Sequence, residues 1–439
     1  MDGSVREVNG REEDRREQCR VRPKSQAASR LGTSDTSALP CFGQFREKKE
    51  VGYLEAQFGL QTVSFQTHLG WTRASGLSAN MFDKKKLKHL PRTGILPAPT
   101  GPTGKRSASA RWQAAKRSES ALSYEHTIAQ PVETEGIGLH TGVRTRLRLQ
   151  PAPAGTGIVF RRTDLEDFQV EAQAANIARV SYATSLMKKG VLISTTEHLL
   201  AALYGFDIDN VAVQLDNLEL PILDGSARPY AELVQAAGRK RQRRRRRYLQ
   251  GVEPVEVIEG DAGDPGARRI GIYPAKQTQQ LTVDYEIDFA HPLIGRQRIS
   301  FTLNPKSFLE LLSGARTFCF YEEVDQLREM GLIRGGSLDC ALVLQANGVM
   351  NPNGLRYPDE FCRHKALDLI GDLALLGRRV VGHIVAQRAG HALHTELVLR
   401  LLRTHSAWRE VWADQLLPEA AAAVAASIGA SPGTRPASR

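Results

Sequence analysis

The sequence predicts an α+β fold of two packed domains with a site between them. Three observations carry this reading. From Tyr124 onward, strand-like alternation and short helical stretches recur in a similar order in two successive regions. A basic run at residues 239–247 separates those regions. In each region one helix opens with, or contains, residue types that bind metals.

The elements follow in order. Residues 127–132 and 144–149 alternate, with Gly136-Ile-Gly-Leu-His-Thr-Gly142 as the turn of a hairpin. Strands are expected at 157–161, 191–194 and 210–215. Ser194 opens a helix that runs through Tyr204 and closes at Gly205. Residues 221–226 form a loop, and 229–237 an amphipathic helix. Beyond the basic run, strands are expected at 255–258, 270–274, 281–287 and 297–303, with helices at 306–312 and 320–330. A strand at 341–344, a long helix at 359–376 ending at Gly377, a strand at 380–386 and a helix at 391–402 complete the pattern. The domains are therefore a leader at 1–123, a first α+β domain at 124–238, an Arg-rich linker at 239–250, a second α+β domain at 251–405, and an Ala-rich tail at 406–439, frayed from Pro418.

The charge is unevenly spread. The 439 residues carry 59 Lys+Arg against 48 Asp+Glu, a net +11. Residues 1–123 hold 22 basic and 12 acidic residues, leaving 37 and 36 for the remainder. Eight of those 37 lie in 239–247, so the rest of the folded region is acidic. The leader lacks periodicity and reads as disordered. Met81 opens a shorter reading of the chain, in which a mis-assigned start accounts for the leader's composition. Residues 101–105 have the wrong glycine spacing for a phosphate-binding loop, with Arg106 where a hydroxyl belongs. The basic run lacks interleaved aromatics and reads as a solvated linker. Cys19, Cys41, Cys319, Cys340 and Cys362 show no CxxC spacing, which indicates a reducing compartment. There is no apolar run long enough for a membrane span and no secretory signal, so a cytoplasmic protein is expected.

Four patterns carry chemistry. His364 and Asp368 stand four residues apart in a helix, on one face, where imidazole and carboxylate together suit zinc. Asp372 continues that face; the plainer reading is a surface ion pair. Glu197-His198 follows Ser194, so Glu197 serves either as a capping-box residue or as a general base beside a metal-binding His. His391 opens a helix after Gly390, a position that suits structure as readily as proton transfer. Thr317 is either a cap or a hydroxyl for an oxyanion.

Taken together, the ordered set closely resembles the bacterial zinc-dependent UDP-3-O-acyl-N-acetylglucosamine deacetylase family. The stretches that carry the resemblance are Gly136–Gly142, Ser194-Thr-Thr-Glu-His-Leu-Leu-Ala-Ala-Leu203 and Pro221-Ile-Leu-Asp-Gly-Ser-Ala227. They continue with Ala315-Arg-Thr-Phe318, Gly335-Gly-Ser-Leu-Asp-Cys-Ala341, Asp359-Glu-Phe-Cys-Arg-His-Lys-Ala-Leu-Asp-Leu-Ile-Gly-Asp372 and Gly390-His-Ala-Leu393. The resemblance implies two related β-α-α-β sandwich domains with the zinc site between them. It also implies release of acetate from a UDP-3-O-acyl-N-acetylglucosamine in lipid A synthesis. By matching positions, His198, His364 and Asp368 would hold one Zn²⁺ per chain, with Fe²⁺ as the other metal to consider. Glu197 would be the base, His391 the acid held by Asp372, and Thr317 the oxyanion hydroxyl. Lys365, Phe318 and Arg388 would bind substrate. Leu327, Leu338, Ala341 and Val343 would line an insert that sheathes the acyl chain. Ala183 stands where the family often has a cysteine, and Arg388 where it commonly has a lysine. The expected partner is the UDP-acyl-sugar alone, acted on by a monomer without nucleic acid or membrane span. The competing readings are another zinc amidohydrolase on the same scaffold, and a nucleic-acid binder using the basic segments.

Overall fold

In the computed structural model, residues 124–178, 180–275 and 280–416 are described. The 1–123 leader, with Cys19, Cys41, Met81 and the segment 101–105, lies outside the described residues, as does the tail from Pro418.

The first region contains β1 (Tyr124–Ile128), β2 (Val132–Ile137), β3 (Arg144–Pro151), β4 (Ile158–Arg162), β5 (Phe168–Glu171), β6 (Leu186–Lys188) and β7 (Val191–Ile193). Helix α1 (Glu197–Gly205), β8 (Val211–Leu215) and α2 (Arg228–Ala237) complete it. Five strands form one sheet in the order β2-β3-β8-β4-β5. In β3, Thr145, Leu147 and Leu149 point inward while Arg144, Arg146 and Arg148 face solvent, the period-two pattern of a sheet with one covered face.

The second region holds β9 (Arg239–Arg245), β10 (Arg247–Gly251), β11 (Val255–Glu259), β12 (Arg268–Tyr273), β13 (Leu281–Phe289) and β14 (Gly295–Thr302). It continues with a turn of helix α3 (Pro305–Ser307), β15 (Phe318–Phe320), α4 (Val324–Glu329), β16 (Leu342–Gln345) and β17 (Gly348–Val349). Last come α5 (Glu360–Leu373), β18 (Arg379–Gln387), α6 (His391–Arg403) and β19 (Trp408–Trp412). Seven strands, β10 to β14 with β18 and β19, make the larger sheet. Strands β13 and β14 form a hairpin from Thr282↔Thr302 to Phe289↔Gly295, and β13 runs parallel to β18. Strands β15, β16 and β17 form a separate small sheet.

Helix α1 packs on α2 and α5, and α5 packs on α6 and on the β13–β14 hairpin. Each sheet thus presents its helices to the other's helices. One apolar cluster is continuous through this layer, from Ile128 through Leu199, Leu367 and Ile370 to Ala407. No helix among the described residues is long and apolar enough to cross a membrane.

Several expectations change. The first hairpin arm is β2, not 127–132, because Pro131 lacks an N–H for the ladder and β1 pairs elsewhere, with β9. The expected helix at 306–312 is one α-turn followed by a π-helical stretch, Phe308–Leu312. The helix expected at 320–330 begins later, since Phe320 ends a strand. Within the span drawn as a tail, β19 pairs with β10.

The Arg-rich linker is likewise a strand. Arg241 stacks on Tyr124 at 3.6 Å, and Arg244 pairs with Glu125 at 3.0 Å. Arg246 is fully buried, with Nη2 2.6 Å from Asp209 Oδ2 and 3.1 Å from His126 Nδ1. Composition spoke for solvation, and most of β9 is exposed, but carboxylates on neighbouring segments hold the run in place.

Candidate active site

The site is made by a close crossing of α1 and α5. Before α1, Thr195 adopts φ +59°, and its hydroxyl donates to buried Glu219 at 2.9 Å. Glu219 also accepts the backbone N–H groups of His140 and Thr141, which ties the Gly-rich turn to the start of the helix. On α5, a Cβ at Gly371 would lie 2.2 Å from the Glu197 carbonyl oxygen. Only glycine permits that approach, and the approach is what brings His198 to His364 and Asp368.

These three are buried, and their ligand-type atoms lie within 4.8 Å of one another. Asp368 Oδ1 is 3.4 Å from His364 Nε2 and 3.9 Å from His198 Nε2. The two imidazoles meet edge to face, with centroids 5.1 Å apart. His364 Nδ1 donates to the Ala315 carbonyl at 3.1 Å, which leaves the Nε2 lone pair directed at the trio. Asp368 Oδ1 is buried without a hydrogen-bond partner. An orphaned carboxylate oxygen facing two imidazole nitrogens is costly unless a cation completes it, so the donor set fits a divalent metal such as zinc. Burial holds both His198, at about 3, and His364 below the usual imidazole range, so both stand ready as neutral ligands. Burial would raise Asp368, but the charges of His391 and Lys365 hold it ionised.

A second trio, Asp372, His391 and His394, is also within ligand distance. Here both Nδ1 atoms lie 2.9 Å from the same Asp372 Oδ2, and the Thr184 hydroxyl donates to Oδ1 at 2.6 Å. Protons fill these contacts, so this trio is a hydrogen-bonded chain.

Glu197 does not cap its helix. Thr196 is the N-cap residue and makes no side-chain cap, while Glu197 Oε2 accepts the backbone N–H of Thr184 at 3.0 Å. Burial pushes the Glu197 carboxyl up to about 7, against the pull of His391. Burial opposes charge on His391 as well, but Asp372 and Asp368 outweigh it and push the imidazole up to about 9. His391 Nε2 lies 3.6 Å from Asp368 Oδ2 and so faces the metal-type trio. An acid and a base with displaced proton affinities share one buried site.

Two clefts border these groups. Thr317, Phe318, Leu327, Leu338, Ala341 and Val343 all line one of about 280 Å³. Lys365, Arg388 and His391 line the other. Lys365 Nζ also reaches Asp368 Oδ2 at 3.4 Å and sits 5.7 Å from the Phe318 ring. Arg388 adopts φ +54°, and its guanidinium is engaged by Asp288 and the Pro265 carbonyl. Arg316, in a buried pair with Glu360 at 2.8 Å, fixes the segment that carries Ala315 and Thr317.

Residues 125–403 match the model of the UDP-3-O-acyl N-acetylglycosamine deacetylase (LpxC) family. The chain belongs to this family. The UDP-3-O-acyl-N-acetylglucosamine deacetylase of Solibacter usitatus (strain Ellin6076) is 48% identical over 303 residues, 69% of this chain and 99% of that relative. The protein of the same name from Myxococcus xanthus (strain DK1622) is 42% identical over 288 residues, 65% of this chain and 89% of the relative. That of Pseudoalteromonas translucida (strain TAC 125) is 42% identical over 295 residues, covering 66% and 93%. The deacetylase family is metal-dependent, in keeping with the trio on α1 and α5.

Sequence reasoning missed Thr184, Glu219, Tyr285 and His394. His394 alone left a signal, one helical turn beyond His391.

Proposed function

We propose that this deacetylase removes the N-acetyl group, as acetate, from UDP-3-O-(3-hydroxyacyl)-N-acetylglucosamine in the committed step of lipid A biosynthesis, with one zinc ion held by His198, His364 and Asp368. The observation that carries this reading is the orphaned Asp368 Oδ1, faced by His364 from its own helix and by His198 from the helix that also presents Glu197. A zinc ion bound there supplies Lewis acidity, activating a water and polarising the acetamide carbonyl.

The chain's own groups supply the proton steps. Glu197, fixed by the Thr184 N–H, takes the proton from the attacking water. His391, charged and anchored through Nδ1 on Asp372, gives its Nε2 proton to the departing amine. Water adds, the amide C–N bond breaks, and acetate leaves with the free amino sugar. Thr317 presents its hydroxyl to the oxygen that becomes tetrahedral. Lys365, Phe318 and Arg388 hold the nucleotide sugar, while the cleft lined by Leu327, Leu338, Ala341 and Val343 takes the acyl chain.

In this reading the two sheet-and-helix regions are related β-α-α-β domains that meet at the α1–α5 crossing, and the enzyme works as a cytoplasmic monomer. Acetate release from the UDP-acyl-sugar, measured with metal content, tests it. Activity should vanish on chelation and return with Zn²⁺, with Fe²⁺ as the comparison. A metal-replete, folded protein that releases no acetate would overturn it.

A further inference from the structure

We propose that Thr184 is a positioning residue that joins the two proton-handling groups of the site. This rests on the assignment of Glu197 and His391 above. Thr184 is fully buried on the loop before β6 and lies on neither helix of the crossing. Its backbone N–H donates to Glu197 Oε2 at 3.0 Å. Its carbonyl accepts from the Thr196 N–H at 3.1 Å and from the Thr196 hydroxyl at 2.9 Å, which fixes the loop on the start of α1. Its hydroxyl lies 2.6 Å from Asp372 Oδ1 and 3.1 Å from His391 Nδ1. One residue therefore touches the base, the acid and the carboxylate that holds the acid.

Proton counting sets the direction of these bonds. A hydroxyl has one hydrogen and two lone pairs. An ionised carboxylate only accepts, so the Thr184 O–H must donate to Asp372. The Thr184 oxygen then accepts, and the atom beside it is His391 Nδ1, which must carry a hydrogen for Asp372 Oδ2 as well. His391 Nδ1–H is thus shared between Asp372 and Thr184. That arrangement fixes the ring plane and leaves Nε2 as the nitrogen that faces the reacting groups. On the far side of Asp372, His394 donates through Nδ1, and its Nε2 lies 2.8 Å from the Tyr285 hydroxyl. Asp372 is therefore held from both sides, and Thr184 is the side that also reaches Glu197.

The backbone contact to Glu197 survives any substitution at 184 but proline, whereas the hydroxyl contacts do not. Thr184→Val keeps the branched shape and removes only the hydroxyl. In metal-replete enzyme, kcat for the UDP-acyl-sugar should fall about 10- to 100-fold, the range usual for groups that orient others, with KM within about twofold of wild type on the same premise. Metal content should stay unchanged, and Thr184→Ser should restore most of kcat. Because Thr184 is proposed to act through His391, adding Thr184→Val to a His391→Gln enzyme should cost less than about twofold more. If the valine chain does not fold, Thr184→Cys, near serine in size with a weak donor, replaces it in the comparison with serine.

Near-wild-type kcat in Thr184→Val would overturn the proposal, as would equal losses in the serine and valine enzymes or full additivity with His391→Gln. If His391→Gln alone keeps wild-type kcat, the assignment of His391 fails instead, and the two failures are told apart.

Discussion

Glu197 accepts the backbone N–H of Thr184 across 3.0 Å, thirteen residues away, instead of reaching back to cap its own helix. A glutamine at 197 can keep that acceptor through its carbonyl oxygen but cannot take a proton. Glu197→Gln is therefore expected to fold, keep its metal and lose about 10²–10⁴ in kcat, the usual worth of a positioned base. Single-turnover acetate release with metal analysis checks it; near-normal deacetylation would return Glu197 to a structural role.

The orphaned Asp368 Oδ1 leads to a second expectation. His198→Ala, His364→Ala or Asp368→Ala should each lower zinc stoichiometry and abolish turnover, since each removes one of three donors. Chelation of the wild-type protein should also lower its Tm, because the bound ion stabilises only the folded chain. Three variants with full zinc and full activity would rule out the trio.

The site was legible in the sequence where its residues share a helix. His364, Asp368 and Asp372 are one turn apart, and Glu197-His198 opens a helix, so spacing alone displays them. Thr184 meets Asp372 across 188 residues of sequence, and Tyr285 meets His394 across 109. No local pattern marks such pairs; they exist because sheet strands and a loop pack onto the helix layer. The arginine run failed in a different way. Its composition describes a solvated segment correctly for Arg243 and Arg245, but says nothing of Arg246, which turns inward to Asp209 and to buried Asp207. Strand boundaries near Pro131 shifted because β1 finds its partner more than a hundred residues later.

The apolar cleft gives a third expectation. Ala341 lines it and is nearly buried, so Ala341→Phe places a ring where an acyl chain would lie. Each methylene kept out forfeits about 0.8 kcal/mol, so excluding three lowers kcat/KM roughly 50-fold. Substrates with short acyl chains should be spared. Equal losses for short and long chains, measured as kcat/KM, would place the acyl group elsewhere.

Arg246 is the fourth case. Its Nη2 sits 2.6 Å from Asp209 Oδ2, and its side chain is buried. Arg246→Met leaves Asp207 and Asp209 without that cation, and breaking a buried pair typically costs about 3–5 kcal/mol. Urea unfolding of the two proteins at neutral pH measures the difference. The folded variant should retain wild-type kcat below its transition, because the metal-type trio is formed by other elements.

The last prediction concerns pH and the same cluster. His126 is buried with Nδ1 3.1 Å from Arg246 Nη2, a group that only donates, so this nitrogen must accept and the ring must be neutral. Burial, then the charges of Arg246 and Arg239, lower its pKa from 6.5 to about 4. The unfolded chain therefore takes up a proton first as pH falls. Stability from this group is complete above about pH 6.5 and is lost as pH drops toward about 4. Burial works against ionised Asp207, but Arg379, Arg246 and Arg239 hold its pKa below the usual range, so its own contribution disappears only at lower pH. His126→Asn offers a carbonyl oxygen to the guanidinium without a protonation step, so it should flatten the fall between pH 6.5 and 4 while carrying some fixed loss from imperfect packing. Denaturant unfolding across that range, in wild type and variant, reads the difference in slope. Parallel curves would show that protonation of His126 does not govern the acid limb of stability.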